Sequence, residues 1–156
     1  MIQTLYLDMD GVIADFDSYW STLDTTIDDD RRFWHAVYDF KIFEQLSLMP
    51  NAEKLLKFLR KLKNTRVEIL SATGSTDARQ SNLAMAQKLN WLEENRIFFK
   101  ANFVAHAEQK CDFAYVNTLL IDDREKAITP FKVFGGVGIL HTDVDTTIEK
   151  LRKYVS

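Results

Sequence analysis

The sequence predicts an α/β fold: an open parallel sheet with helices on both faces. Three observations predict it. Apolar runs of strand length alternate along the chain with amphipathic stretches of helical period. The runs are mostly apolar, with short unbroken stretches such as Leu119-Leu120-Ile121, as strands buried on both faces are. Several of them stop at an acidic or hydroxyl side chain, which an open parallel sheet collects along one edge. With 156 residues, 46% of them hydrophobic, the chain has the length and apolar content for one domain around one core.

The elements follow in order. Thr4 to Leu7 reads as a short buried strand ending at Asp8, and Gly11 permits a tight turn after it. Residues from about 16 to 48 are rich in aromatics (Phe16, Tyr19, Trp20, Phe33, Trp34, Tyr38, Phe40, Phe43) and mostly helical in pattern. They predict a small helical cap inserted after the first strand, within a single domain spanning residues 1–156. Asp28-Asp29-Asp30 reads as a helix start. Asn51 is expected to cap a helix from Ala52 to Leu62, with Leu55, Leu56, Leu59 and Leu62 on one face. Arg66 to Leu70 is a second strand, leading into Ser71-Ala72-Thr73-Gly74, and Asp77 opens a helix to about Leu89. Arg96–Phe99 and Asn102–Ala105 are candidate strands, and Ala107–Tyr115 a short helix. Thr118 to Ile121 is a buried strand ending at Asp122-Asp123. A helix from Arg124 to about Thr129 should stop near Pro130. A strand, Gly138–Leu140, and a helix, Val144–Tyr154, complete the pattern.

Composition narrows the classes. A net charge of -3 argues against a protein that coats nucleic acid, which carries a basic surplus, and leaves a small nucleotide open as a ligand. The single cysteine, Cys111, excludes an intramolecular disulfide framework and fits a cytoplasmic setting. No stretch has the apolar length of a membrane span, and Met1 to Thr4 lack a signal-peptide pattern, so the fold is expected to begin close to residue 1. His35, His106 and His141 show no metal-ligand spacing. Gly135-Gly136-Val137-Gly138 precedes a strand, whereas a dinucleotide-binding glycine motif follows one and opens a helix.

The chemistry lies at the strand ends: Asp8 and Asp10 after the first strand, Ser71 after the second, Asp122 and Asp123 after a later one. In a parallel sheet these ends meet on one edge, at the crevice where strand order reverses. Four carboxylates gathered there repel one another, and each unpaired charge taken out of water costs several kcal/mol. A divalent cation relieves this, and an all-oxygen donor set favours magnesium. Taken singly, the same residues could be turn formers or helix N-caps.

The pattern resembles the haloacid dehalogenase superfamily of phosphatases. Asp8-Met9-Asp10-Gly11-Val12 is similar to the first motif of that family, D-x-D-G-[TV]; Ile69-Leu70-Ser71 to the second; and Leu119-Leu120-Ile121-Asp122-Asp123 to the fourth. Lys110 stands where the third motif's lysine is expected, with Lys100 as its rival. The motifs stand in the family's order and cover most of the chain. The short aromatic cap, Phe43-Glu44-Gln45-Leu46 and Met49-Pro50-Asn51-Ala52 are similar to the 5'(3')-deoxyribonucleotidase branch, in its small bacterial and phage form. The resemblance implies a Rossmann-like core and a magnesium-dependent phosphomonoesterase. In that reading Asp8 is the nucleophile and Asp10 the acid and then base. Asp8, the Asp10 backbone carbonyl and Asp123 hold the metal, with Asp122 the less certain ligand. Ser71, the amides of Ala72 and Thr73, and Lys110 bind phosphate. Phe16, Trp34, Phe40 and Phe43 are candidates for stacking a base. The implied partner is a small phosphomonoester, best a (deoxy)nucleoside monophosphate, with no membrane and no stable nucleic-acid complex. The alternatives are another small phosphomonoester, a polynucleotide 3'-phosphate, transfer to an acceptor other than water, or a binding module that keeps the fold without catalysis.

Overall fold

A computed structural model describes all residues, 1–156. Five parallel strands form one sheet: β1 (Thr4–Leu7), β2 (Arg66–Ala72), β3 (Lys100–Val104), β4 (Thr118–Asp122) and β5 (Val137–Leu140). Their order is β3-β2-β1-β4-β5, so β1 lies at the centre and the order reverses between β1 and β4. The predicted α/β fold is the observed one. Register pairs Leu7 with Ile69 on one side and with Ile121 on the other, so the three strands reach their carboxyl ends side by side.

Side chains alternate across the sheet. Leu5, Leu7, Ile69, Leu119 and Ile121 enter the larger core. It is shared with α4 (Ala52–Leu59), α5 (Ala78–Glu94) and α7 (Val144–Leu151). Tyr6, Leu70 and Leu120 face the other way, against the 3₁₀ helix Ala107–Phe113 and α6 (Glu125–Val133). That parity decides which strand-end residue faces which layer. Asp8 and Asp122 continue the Tyr6 and Leu120 side, whereas Ser71 continues the Ile69 side, under α5.

Three helices lie between β1 and α4: α1 (Phe16–Trp20), α2 (Asp29–Phe40) and α3 (Ile42–Gln45). Asp15, Asp28 and Asp77 cap α1, α2 and α5, each accepting a backbone N–H three residues on. The turn between α2 and α3 passes through Lys41 in the left-handed region. Residues of α5 hold these helices. Gln87 Nε2 donates to the Val37 carbonyl (2.8 Å), Trp91 Nε1 to the Leu46 carbonyl (2.7 Å) and Asn90 Nδ2 to Glu44 Oε1 (2.8 Å).

Several sequence expectations are corrected. Asn51 does not cap α4 with its side chain; it takes a left-handed turn (φ 62°) at the helix start. Arg96–Phe99 is not a strand, because Arg96 also turns left-handed (φ 55°) and the strand begins at Lys100. The helix α5 runs past Leu89 to Glu94, and α6 continues through Pro130 to Val133. No helix is long and apolar enough to cross a membrane.

Trp91 offers a test of how the α1–α3 segment is held. Trp91→Phe keeps the apolar contact but leaves the buried Leu46 carbonyl without its donor. The expected loss is about 1–3 kcal/mol, read in urea unfolding as a lower midpoint at unchanged slope.

Candidate active site

The loop after β1 folds on one carbonyl: Met9 O accepts the amides of Val12, Ile13 and Ala14 at 2.9–3.1 Å. Gly11 takes φ +80°, and a Cβ there would stand 2.0 Å from Asp123 Oδ2. Glycine is required here for its backbone conformation and for the close approach of Asp123.

At the centre, the Lys110 ammonium donates to Asp8 Oδ1 (2.8 Å) and to Asp122 Oδ2 (2.6 Å). All three groups are buried, Lys110 to 2% exposure. The 3₁₀ helix delivers Lys110 to the face that strand parity assigns to Asp8 and Asp122. Asp122 Oδ1 accepts the Arg124 amide (3.0 Å), so both of its oxygens are engaged. Asp123, next in sequence, is the opposite case: its Oδ1 is buried with no hydrogen-bond partner. Lys100, the rival lysine, is exposed at the sheet edge, 4.0 Å from Glu68.

Charge follows the geometry. Burial pushes the Asp8 carboxyl up, and the Lys110 ammonium opposes that. Burial works against Lys110's charge, but Asp8 and Asp122 outweigh it and hold the ammonium above its usual value. Asp123 is pushed up to about 7 by burial and then by the negative charges of Asp8 and Asp122. Only Lys110 and one further lysine, Lys88, form ion pairs with Asp8, Asp10 and Asp122, and Asp123 pairs with none. The cluster, fully ionised, keeps more negative than positive charge.

Carboxylate oxygens of Asp8, Asp122 and Asp123 lie within 4.8 Å of one another. The oxygen-only donor set, the partnerless Asp123 oxygen and the surplus negative charge fit a hard divalent cation such as magnesium. Asp8 and Asp123 have the oxygens to offer it, whereas Asp122 is held by Lys110 and the Arg124 amide.

Above the cluster opens a cavity of about 520 Å³. Asp8, Asp10, Lys110 and Asp123 line it together with Ala72, Thr73 and Gly74 and an aromatic wall of Phe16, Trp20, Phe33 and Phe43. The wall meets the loop after β2 where the Phe33 ring lies against Gly74. Phe16 stacks on Trp20 (5.7 Å between centroids) and on Phe43 (5.9 Å). His106, Arg124 and Lys126 stand at the rim.

The structure brings Asp8, Asp10, Ala72, Thr73, Lys110, Asp123, Phe16 and Phe43 around this one cavity, and other expectations are corrected. Ser71 does not line it: the side chain is fully buried on the α5 side, and its Oγ accepts from Lys88 Nζ at 2.7 Å. The Thr73 amide is not free for a ligand, because pairing with β3 continues past Ala72 and it donates to the Val104 carbonyl (2.8 Å). Trp34 packs on Phe33 and Tyr38 away from the cavity. Phe40 lies beside a separate hollow with Thr22, Arg32 and His35, where the α2 turn carries it out. Sequence reasoning missed Lys88, Trp20 and Phe33. Lys88 was hidden as a charge within a helix; its signal is its place four residues after buried Ala84 and three before buried Trp91, on the inner stripe of α5.

Comparison with known proteins adds the fold. No family model and no curated protein matches the chain. Among solved structures, it is similar to a hydrolase from Streptococcus pneumoniae TIGR4, with a TM-score of 0.60, 15% identity and 97% and 98% of the two chains covered. A haloacid dehalogenase-like family hydrolase from Streptococcus pneumoniae matches with a TM-score of 0.56, 15% identity and 88% and 83% coverage. The chain has the haloacid dehalogenase fold. A family enzyme from Bacteroides thetaiotaomicron, a magnesium complex, matches at 0.53 with 14% identity, over 90% and 93% of the chains.

Two outcomes test the cation site. Gly11→Ala should push Asp123 aside and weaken magnesium binding by roughly 10- to 100-fold, as loss of support around a metal ligand does; isothermal titration calorimetry measures it. Binding should also tighten with pH up to about 7 and then level off. Asp123 holds a proton below that pH and must release it to ligate. Titrations in buffers of different ionisation enthalpy should show proton release at pH 6 that fades at pH 8, the two chosen to lie roughly one unit either side of that value.

Proposed function

We propose that the protein is a magnesium-dependent phosphomonoester hydrolase working through an aspartyl-phosphate on Asp8. The observation that carries this is the open carboxylate pair at the carboxyl ends of β1 and β4. Asp8 is held by Lys110 through one oxygen and has no protein partner on the other, and partnerless Asp123 lines the same cavity beside it. The likeness to hydrolases of the haloacid dehalogenase fold, one of them a magnesium complex, supports the reading.

In this mechanism the free oxygen of Asp8 attacks phosphorus and the bond to the leaving oxygen breaks. Asp10 gives that oxygen a proton. A water then attacks the aspartyl-phosphate, yields its proton to Asp10 and releases inorganic phosphate, returning both carboxyls to their starting states. Lys110 fixes the attacking carboxylate and offsets charge on the phosphoryl group. Asp8, Asp123 and the Asp10 backbone carbonyl would hold the magnesium ion, which when bound would supply positive charge against the phosphoryl oxygens.

The helices α1–α3 act as the cap, and their aromatic wall selects the rest of the substrate. Phe16, Trp20, Phe33 and Phe43 line the cavity beside the carboxylates, an apolar aromatic surface that suits a planar base and favours a nucleoside monophosphate, deoxyribonucleotides first. The cationic rim of Arg124 and Lys126 favours a second reading, a substrate with a further phosphate such as a polynucleotide 3' end.

The test is phosphate release from nucleoside 5'- and 3'-monophosphates, a 3'-phosphorylated oligonucleotide and simple phosphomonoesters. Release should need magnesium, stop with a chelator, vanish in Asp8→Asn and fall roughly 100- to 1,000-fold in Lys110→Met. No release from any substrate by the folded wild type would remove the phosphatase reading.

A further inference from the structure

We propose that Lys88 is the positioning residue for Asp10, fixing the acid–base carboxylate from behind the cavity and tying it to the aromatic wall. The proposal rests on the phosphatase reading above. Lys88 Nζ donates to Asp10 Oδ2 at 2.9 Å, to Ser71 Oγ at 2.7 Å and to the Ala72 carbonyl at 3.0 Å. An ammonium has three N–H donors, and all three are used. The side chain is fully buried, so Lys88 reaches neither solvent nor substrate and acts only through the groups it holds.

Two of those groups, Ser71 and Ala72, belong to β2 and are fixed by the sheet. They set where the ammonium stands, and the ammonium sets where the Asp10 carboxylate points. Nothing in the packing calls for a charge there: Ala84 and Trp91, one turn away on the same stripe, are apolar and buried. A buried ammonium is costly unless every donor finds a partner, so a methionine of similar length would pack with less penalty. The lysine is therefore explained by what it bonds. Its Nζ also lies 4.5 Å from the centroid of the Phe43 ring, which lines the cavity. The adjacent Gln87 and Trp91 hold the α2–α3 segment, so one turn of α5 joins the aromatic wall to Asp10.

Positioning of a proton donor has a signature that general support of the fold lacks. It matters when the leaving oxygen needs a proton and much less when the leaving group departs as a stable anion. The experiment compares wild type with Lys88→Met, with magnesium, by rapid quench of the first turnover. The substrates are p-nitrophenyl phosphate and the best alkyl phosphomonoester of the panel. The first-turnover rate on the alkyl ester should fall about 100-fold or more, and that on p-nitrophenyl phosphate by at least about tenfold less. If circular dichroism shows Lys88→Met unfolded, Lys88→Gln is read by the same ratio. Equal losses on both substrates, or no loss, would overturn the proposal while the phosphatase reading stands. A folded wild type inactive on both would overturn the two together.

Discussion

One ammonium between two buried carboxylates organises this molecule. Lys110 stands between Asp8 and Asp122 at the ends of neighbouring strands, where neither acid could be buried alone. The contact demands that β1 and β4 pair in one register, that both acids fall on the same face, and that the 3₁₀ helix dock there. Each demand is met by an apolar run of the right parity: Leu5 and Leu7 in one core, Tyr6 in the other, with Leu119, Ile121 and Leu120 matching them. The pair leaves one Asp8 oxygen free and the buried Oδ1 of Asp123 without a hydrogen-bond partner, which is where a divalent cation fits.

A second lysine meets the acid cluster from the opposite side of the sheet. Lys110 comes from the layer packed on Tyr6 and Leu120, and Lys88 from α5, in the layer packed on Leu5 and Leu7. Asp8 and Asp10 are thus each held by a different helix. The aromatic wall connects to the α5 side alone, through Phe43 over Lys88 and through the hydrogen bonds of Gln87 and Trp91. In the proposed reading, what happens at the wall reaches Asp10 before it reaches Asp8.

How far the sequence foretold this depends on whether a signal was local. Strands β1 and β4 were legible because four or five apolar residues end at acids, and their pairing follows from a parallel sheet. Asp8 and Asp123 stood in strand-end motifs that resemble the haloacid dehalogenase family, and Lys110 was one of two candidates, with Lys100 the other. Ser71 was placed at the cavity from its position after a strand, but side-chain alternation turns it toward α5; the apolar run did not reveal which of the two faces it would join. The Thr73 amide is a phosphate donor only in the family resemblance; here it continues the β2–β3 ladder by donating to the Val104 carbonyl, a pairing across strands that no local pattern announces. Lys88 was illegible by charge: Leu89 beside it looks like the inward residue, yet Leu89 is 45% exposed and Lys88 is buried. Among the aromatics, composition flagged the segment but not its folding, so Trp34 and Phe40 were expected where Trp20 and Phe33 stand.

The central claim is that Asp8 carries the phosphoryl group between substrate and water. The most direct measurement is peptide mass spectrometry of protein quenched in acid during turnover with magnesium, with a parallel sample reduced by borohydride. The account predicts a phosphoryl group on the peptide containing Asp8, converted by reduction to homoserine at that position and absent in Asp8→Asn. Turnover in which Asp8 stays unmodified at every quench time, or in which Asp8→Asn still releases phosphate, would contradict it.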